Sequence, residues 1–350
     1  MKILNAIICL MLLNSCANIV MPTGGEKDAS SPILLQTLPE NNSVNFKNNR
    51  ITFVFNENIQ ENRWSDYFNI SPTTQKPVEY KISKNILTLL VDTELKDSTT
   101  FSINLNNCIK DINEGNILEN LSYNFSTSNK IDSLEINGKV IDAQSLQGVS
   151  NAWVFLQNEE LADSLCVNTK PIYVTKTNTD GTYYFNNLNE KSYKIFALDG
   201  VDLYYNKSDK IAFSTDLINA KIDSNKILYL FDPLYQHKTI EDSLLSKEKK
   251  TEDSGKIILD CITNDNLIIQ LYDEKKLINE YFFKYGPYEL NNISSGKYNL
   301  KVIVDSNKNN KWDTGNLKSQ ILPEKIIEIK DEINVRENWT LEVSCNLNEL

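Results

Sequence analysis

The chain has 350 residues, 41% hydrophobic and 24% charged, enough apolar material for about two to three packed units and too much for a disordered polypeptide. A net charge of −11 excludes the basic footprint of a nucleic-acid binder. The single histidine, His237, falls in a charged stretch and excludes imidazole acid–base pairs, Ser–His and Cys–His nucleophiles and His-rich zinc sites.

Residues 1–15 read as a signal peptide. Lys2 precedes an apolar run from Ile3 to Leu13, too short to span a bilayer and of the right length for export. Leu13-Asn14-Ser15-Cys16 has the form of a bacterial lipobox, with Cys16 as the lipidated first residue of the mature chain. Residues 16–31 then form a tether with Pro22, Gly24 and Gly25 and no apolar periodicity.

From Pro32 onward, short alternating runs are punctuated by Asn, Asp, Gly and Ser. Ile51-Phe53-Phe55, residues 86–91 and residues 100–105 follow period two, and about seven strands are predicted over 32–128. A second unit spans 133–230. Its Asp180-Gly181 lies between apolar runs and predicts a hairpin from Tyr173–Thr177 to Tyr183–Phe185. Residues 236–255 are dense in both charges and read as a linker, and a third unit occupies 256–350. Gly296–Asp305 repeats the theme of Lys191–Asp199, a turn, a Tyr, alternating apolar residues and an Asp, so units two and three are expected to share one plan. The fold class is all-β, a tandem of antiparallel sandwiches.

Beyond Cys9 and Cys16, the cysteines Cys108, Cys166, Cys261 and Cys345 are widely spaced with no CxxC; buried thiols are the expectation, with disulfides the alternative in an oxidising compartment. The sharpest motif is the loop from Asp305 to Asp313. Asp305, Asn307, Asn309 and Asp313 fall at positions 1, 3, 5 and 9, a spacing that converges oxygen ligands on calcium. Asn310 replaces the usual glycine at position 6 and Asn316 the bidentate Glu at position 12, so this is no EF-hand and any affinity is weak. A hairpin loop bonding its own backbone, with Trp312 beneath, explains the same residues. No other cofactor is implied. Asp111–Asn116 and Asp199–Asp202 read as polar turns. Trp153 and Trp339 are expected in the core, and Trp64, amid Glu61-Asn62-Arg63 and Ser65-Asp66, is the candidate surface platform.

These residues resemble a known group. Cys16-Ala17-Asn18, Pro22-Thr23-Gly24-Gly25, Lys27-Asp28, Pro32 and Pro39-Glu40-Asn41 are similar to the start of Bacteroidetes envelope lipoproteins. Those carry a bacterial Ig-like domain of the SbsA S-layer type, which Phe53–Ile59 and Asp111–Asn116 also fit. Residues 134–200 resemble a transthyretin-like (carboxypeptidase regulatory-like) sandwich through Gly138-Lys139-Val140 and Asp180–Phe185. Asp305–Gly315, Pro323-Glu324 and Asn338-Trp339 resemble the end of the same lipoproteins. The resemblance implies a lipid-anchored outer-membrane protein and offers no catalytic residues. Ala17–Val20 lacks an acidic run, which implies a periplasm-facing body. The expected function is a non-enzymatic scaffold, partnered by the outer membrane and by an envelope protein or glycan. The alternatives are a glycan- or polymer-binding surface lipoprotein and a hydrolase using Asp111, Glu114, Asp305 or Asp313.

Overall fold

The structure is a computed structural model that describes residues 28–91, 94–236 and 254–347. Cys16 and all but a few residues of the 236–255 stretch lie outside the described residues. No described helix is long and apolar enough to cross a membrane.

The first unit contains β1 (Leu34–Leu38), β2 (Arg50–Phe55), β3 (Ile59–Glu61), α1 (Trp64–Tyr67), β4 (Asn69–Ser71), β5 (Glu79–Ser83), β6 (Ile86–Leu90), β7 (Thr100–Asn104), β8 (Ile109–Asp111) and β9 (Ser122–Ser126). Two sheets, ordered β1-β2-β6-β5 and β4-β7-β9, carry the sandwich, and β3 pairs with β8. Period two puts Ile51, Phe53 and Phe55 on one face, where all three are fully buried with Leu87, Leu89, Ile103 and Phe125. Phe53 meets Tyr123 edge to face at 5.3 Å between centroids, which ties the two sheets together. The seven expected strands are present, and β3 and β8 add two that alternation over three residues could not reveal.

The second unit contains β10 (Leu134–Asp142), β11 (Trp153–Asn158), α2 (Asp163–Cys166), β12 (Tyr173–Lys176), β13 (Thr182–Leu188), β14 (Ser192–Asp199), β15 (Lys210–Phe213), β16 (Ile218–Asn219) and β17 (Asn225–Leu230). The third contains β18 (Ser254–Cys261), β19 (Asn266–Asp273), β20 (Lys276–Phe283), β21 (Tyr288–Ser294), β22 (Gly296–Asp305), β23 (Ile326–Glu328), β24 (Ile333–Val335) and β25 (Thr340–Cys345). Sheets β13-β10-β17 and β12-β11-β14-β15 in unit two correspond strand for strand to β21-β18-β25 and β20-β19-β22-β23 in unit three. In both, the first strand runs parallel to the last. The two echoing segments are β14 and β22, the strands that hold each larger sheet together. Ser254 and Gly255, expected in the linker, already belong to β18.

The Asp180-Gly181 turn is not the hairpin its dipeptide predicts. β12 pairs with β11, in register Trp153↔Lys176, whereas β13 pairs with β10, in register Gly138↔Tyr183. The turn therefore carries the chain from one sheet to the other. The Asp180 carboxylate accepts the Thr182 amide at 3.0 Å and its hydroxyl at 2.7 Å, and Gly181 sits at φ +87°. Asn-Gly and Asp-Gly specify local reversal, but partner choice is decided by which apolar faces meet.

Units two and three are joined by a core of their own. In β14, Tyr193, Ile195 and Ala197 enter the sandwich interior, whereas Phe196 and Leu198 point the other way. β11 does the same with Phe155, and β19 and β22 with Ile268 and Ile303. Cross-strand register aligns Phe155, Phe196 and Phe213 in one row and Ile268, Ile303 and Ile326 in another. Both rows lie in a single buried apolar cluster with Phe231 and Trp312. Strands with both faces buried read as continuous apolar runs, as Leu267-Ile268-Ile269 and Val302-Ile303-Val304 do.

The joint between units one and two is polar. The Asn69 side chain donates to the Val174 carbonyl at 2.6 Å, the Val174 amide donates to Ser71 Oγ at 3.1 Å, and the Thr73 amide donates to the Ile172 carbonyl at 2.7 Å. The strip places β4 alongside β12 without an apolar cluster common to the two units.

Candidate functional site

Three places gather chemistry-bearing side chains: the 305–313 loop, the 111–116 turn and the groove between units one and two. The first follows β22. Asp305 is fully buried, and its carboxylate accepts the amides of Asn309 at 3.0 Å and Asn310 at 2.9 Å. Asn307 and Asn309 both donate to one oxygen of Asp313, the latter at 2.6 Å. The four residues singled out by spacing are thus brought together in one loop.

A fifth residue completes it. Glu324 accepts the amides of Ser306 at 2.8 Å and Asp313 at 3.1 Å, and its carbonyl accepts the indole N–H of Trp312 at 2.9 Å. Burial pushes the Glu324 carboxyl above its ordinary range, backbone amides oppose this, and the nearby Asp305 charge adds to the rise. Only Pro323 before it hints at a turn, and nothing in the sequence links it to Asp313. No group of three or more His, Cys, Asp or Glu side chains with metal-holding geometry exists among the described residues. The loop is closed by its own hydrogen bonds, with Trp312 buried beneath it.

The calcium expectation therefore rests on the two loop carboxylates, Asp305 and Asp313, with Glu324 bonded to the Asp313 amide. At a dissociation constant near 1 mM, as in weak extracellular sites, 5 mM calcium stabilises by about 1 kcal/mol, or roughly 2–4 °C in melting temperature. Asp313→Ala, which removes the half-buried carboxylate and leaves Asp305 in place, abolishes that rise. Unchanged melting of the unaltered protein in calcium establishes the loop as purely structural.

The 111–116 segment is a turn, as its residues predict, but its first carboxylate is buried. Asp111 ends β8 fully buried and accepts the amides of Glu114 at 2.7 Å, Gly115 at 2.9 Å and Asn116 at 2.9 Å. Burial alone works to raise its pKa, but the three amides prevail and hold the carboxyl below its usual value. Its stabilising contribution is complete above the unfolded value near pH 4 and is lost as pH falls through the lowered folded value. Asp111→Ala is accordingly less stable at pH 7 and loses melting temperature less steeply between pH 4 and pH 2. Thermal scans over that range check the slope.

Trp64 is no surface platform. The helical turn α1 rotates it inward, where it is 9% exposed and stacks on Tyr80 at 3.9 Å and Phe68 at 4.6 Å. Trp339, expected in the core, is 60% exposed just before β25. Trp153 is half-buried under the Lys176 ammonium, 4.0 Å from its ring centroid.

The groove between units one and two holds about 360 Å³ and is lined by Asn69, Ser71, Ser102, Asn104, Asn120 and Tyr184, among others. Residues 69 and 71, 102 and 104 occupy one face of β4 and β7 by period two. Their amides and hydroxyls are uncharged, and Tyr184 presents a ring that is 55% exposed. The Lys176 ammonium, the cation in the lining, is already held over Trp153 and donates to the Asp66 carbonyl at 3.5 Å.

Residues 28–127 match the family of the bacterial Ig-like domain. No curated protein matches the chain in sequence. Among solved structures, an L,D-transpeptidase from Mycobacterium smegmatis is 13% identical with a TM-score of 0.20, over 37% of this chain and 56% of that one. The Bacillus anthracis TIE protein is 10% identical with a TM-score of 0.20, over 93% of this chain and 59% of that one. The minor pilin GBS52 of Streptococcus agalactiae is 11% identical with a TM-score of 0.20, over 61% of this chain and 94% of that one. The chain thus spans under two thirds of the first two, and likeness at this level carries no functional argument. The first sandwich is a bacterial Ig-like domain within an all-β chain.

Proposed function

We propose that the chain is a non-enzymatic envelope lipoprotein, tethered to the outer membrane through Cys16 and facing the periplasm, whose tandem sandwiches serve as a structural or binding scaffold. The observation that carries this reading is the apolar cluster shared by units two and three, since two sandwiches with a common core hold a fixed spacing. The leader and the Leu13–Cys16 motif support the address. The hydrolase alternative is disfavoured by geometry. Asp111 and Asp305 lie in different units, and each carboxylate is committed to backbone amides rather than aimed into a cleft. Lipidation is tested by mass spectrometry of the membrane-extracted N-terminus. A diacylated or triacylated Cys16 is expected, with Cys16→Ser released from membranes; an unacylated Cys16 overturns the anchor.

The groove favours a second reading, binding of an uncharged polymer. Neutral amides, hydroxyls and a half-exposed phenol ring suit a polyhydroxylated ligand better than an ionic one. Isothermal titration with neutral envelope glycans, repeated on Tyr184→Ala, tests it. Heat of binding lost in the variant supports this reading, and no heat with any glycan sinks it.

A further inference from the structure

β18 and β25 run parallel, and their register sets Ile257 beside Leu341, Leu259 beside Val343, and Cys261 beside Cys345. In-register residues on neighbouring strands point to the same face, so the cysteines continue the inward row at its open end. Paired strands lie about 4.8 Å apart, inside the roughly 4.4–6.8 Å that a disulfide spans between Cα atoms. Each cysteine is the last residue of its strand, where the backbone has slack to close the remaining distance.

We infer that Cys261 and Cys345 form a cross-strand disulfide under oxidising conditions, fastening the C-terminal strand to the first strand of the third unit. The inference does not rest on the scaffold reading. The adjacent Cys261 side chain holds Cys345 below the ordinary cysteine range, and the Cys345 side chain together with burial pushes Cys261 up. Cys345 is thereby the readier thiolate, and half-buried Cys261 lies at the accessible edge. The remaining described cysteines offer a contrast. Cys108 and Cys166 are fully buried in units one and two, and burial pushes both thiols up, Cys108 to about 12.

The oxidant is a small-molecule or protein disulfide. One thiolate attacks it, forming a mixed disulfide and releasing one thiolate of the oxidant. The second cysteine, deprotonated, then displaces the other half. The pair loses two protons and two electrons, and the oxidant is reduced to two thiols.

The test incubates the full-length native protein with oxidised glutathione, blocks residual thiols, and maps peptides under non-reducing conditions. The expected product is one linked peptide pair containing Cys261 and Cys345, lighter by two hydrogens than the reduced pair, with Cys108 and Cys166 still alkylated after unfolding. The oxidised protein melts roughly 5–15 °C above the reduced one, because the bridge closes a long loop in the unfolded chain. In Cys345→Ser the redox difference disappears. Should that variant fail to fold, the peptide map of the unaltered protein decides alone. Both cysteines recovered as alkylated or glutathionylated monomers, or either one linked to Cys108 or Cys166, overturns the inference.

Discussion

Ile303→Asp splits the unfolding of units two and three into separate transitions. Ile303 is 2% exposed and lies in the row with Ile268 and Ile326 that faces unit two. The change removes a buried side chain and places a carboxylate with no partner in an apolar cluster, at a cost of about 4 kcal/mol or more. The cheaper response is for the joint to open. The interior of unit three, where Leu300, Val302 and Val304 occupy the opposite face of the same strand, is untouched. Each sandwich stays folded while the carboxylate reaches water. Urea unfolding followed by tryptophan emission reads this directly, since Trp312 is 5% exposed at the joint and shifts to the red once water enters. Ile303→Leu, close in volume, costs under about 1.5 kcal/mol and keeps the transitions together.

Gly181→Ala is expected to cost about 3 kcal/mol or more, against about 1 kcal/mol for Gly115→Ala. Both glycines have positive φ, +87° at Gly181 and +80° at Gly115, and a side chain at either loses roughly 1–2 kcal/mol to left-handed strain. They differ in surroundings. A Cβ at Gly115 meets nothing within 4 Å, whereas at Gly181 it comes within 2.5 Å of the Val140 carbonyl oxygen and 2.8 Å of the Gly148 Cα. Those atoms are backbone, and the Val140 amide bonds the Gly181 carbonyl at 2.9 Å, so relief would require parting the turn from β10. Denaturant midpoints of the two variants give the comparison. Equal losses would show that the inter-sheet crossing has room to relax.

Sequence and structure agree where chemistry is local and part where it is not. Ile51, Phe53 and Phe55 alternate because one side of β2 meets the core, and that face was legible at once. Phe155, Phe196 and Ile303 interrupt the alternation because their strands are covered on both sides. The continuous runs were visible, but the second partner is a face of another unit about a hundred residues away, and no pattern within one strand encodes it. Trp64 is buried although five polar neighbours surround it in sequence, because only the rotation of α1 separates its side from theirs. Asp305, Asn307, Asn309 and Asp313 were found by spacing because a loop closing on itself is a local object. Glu324 was not, since its contact with that loop comes from the return path into β23. Asp180-Gly181 makes the turn its dipeptide predicts but joins strands of different sheets, because the dipeptide specifies bend geometry and leaves the sheet partner open.

The joint between the two similar sandwiches is tested most directly by scanning calorimetry of the intact protein. If Phe155, Phe196, Phe213, Ile268, Ile303 and Ile326 form one core, units two and three melt in a single transition whose van't Hoff and calorimetric enthalpies agree for both together, while the first unit is free to melt separately across its polar seam. Two resolved transitions, each with the enthalpy of a lone sandwich and neither being unit one, would mean that the shared cluster does not hold the pair together, and the fixed spacing would go with it.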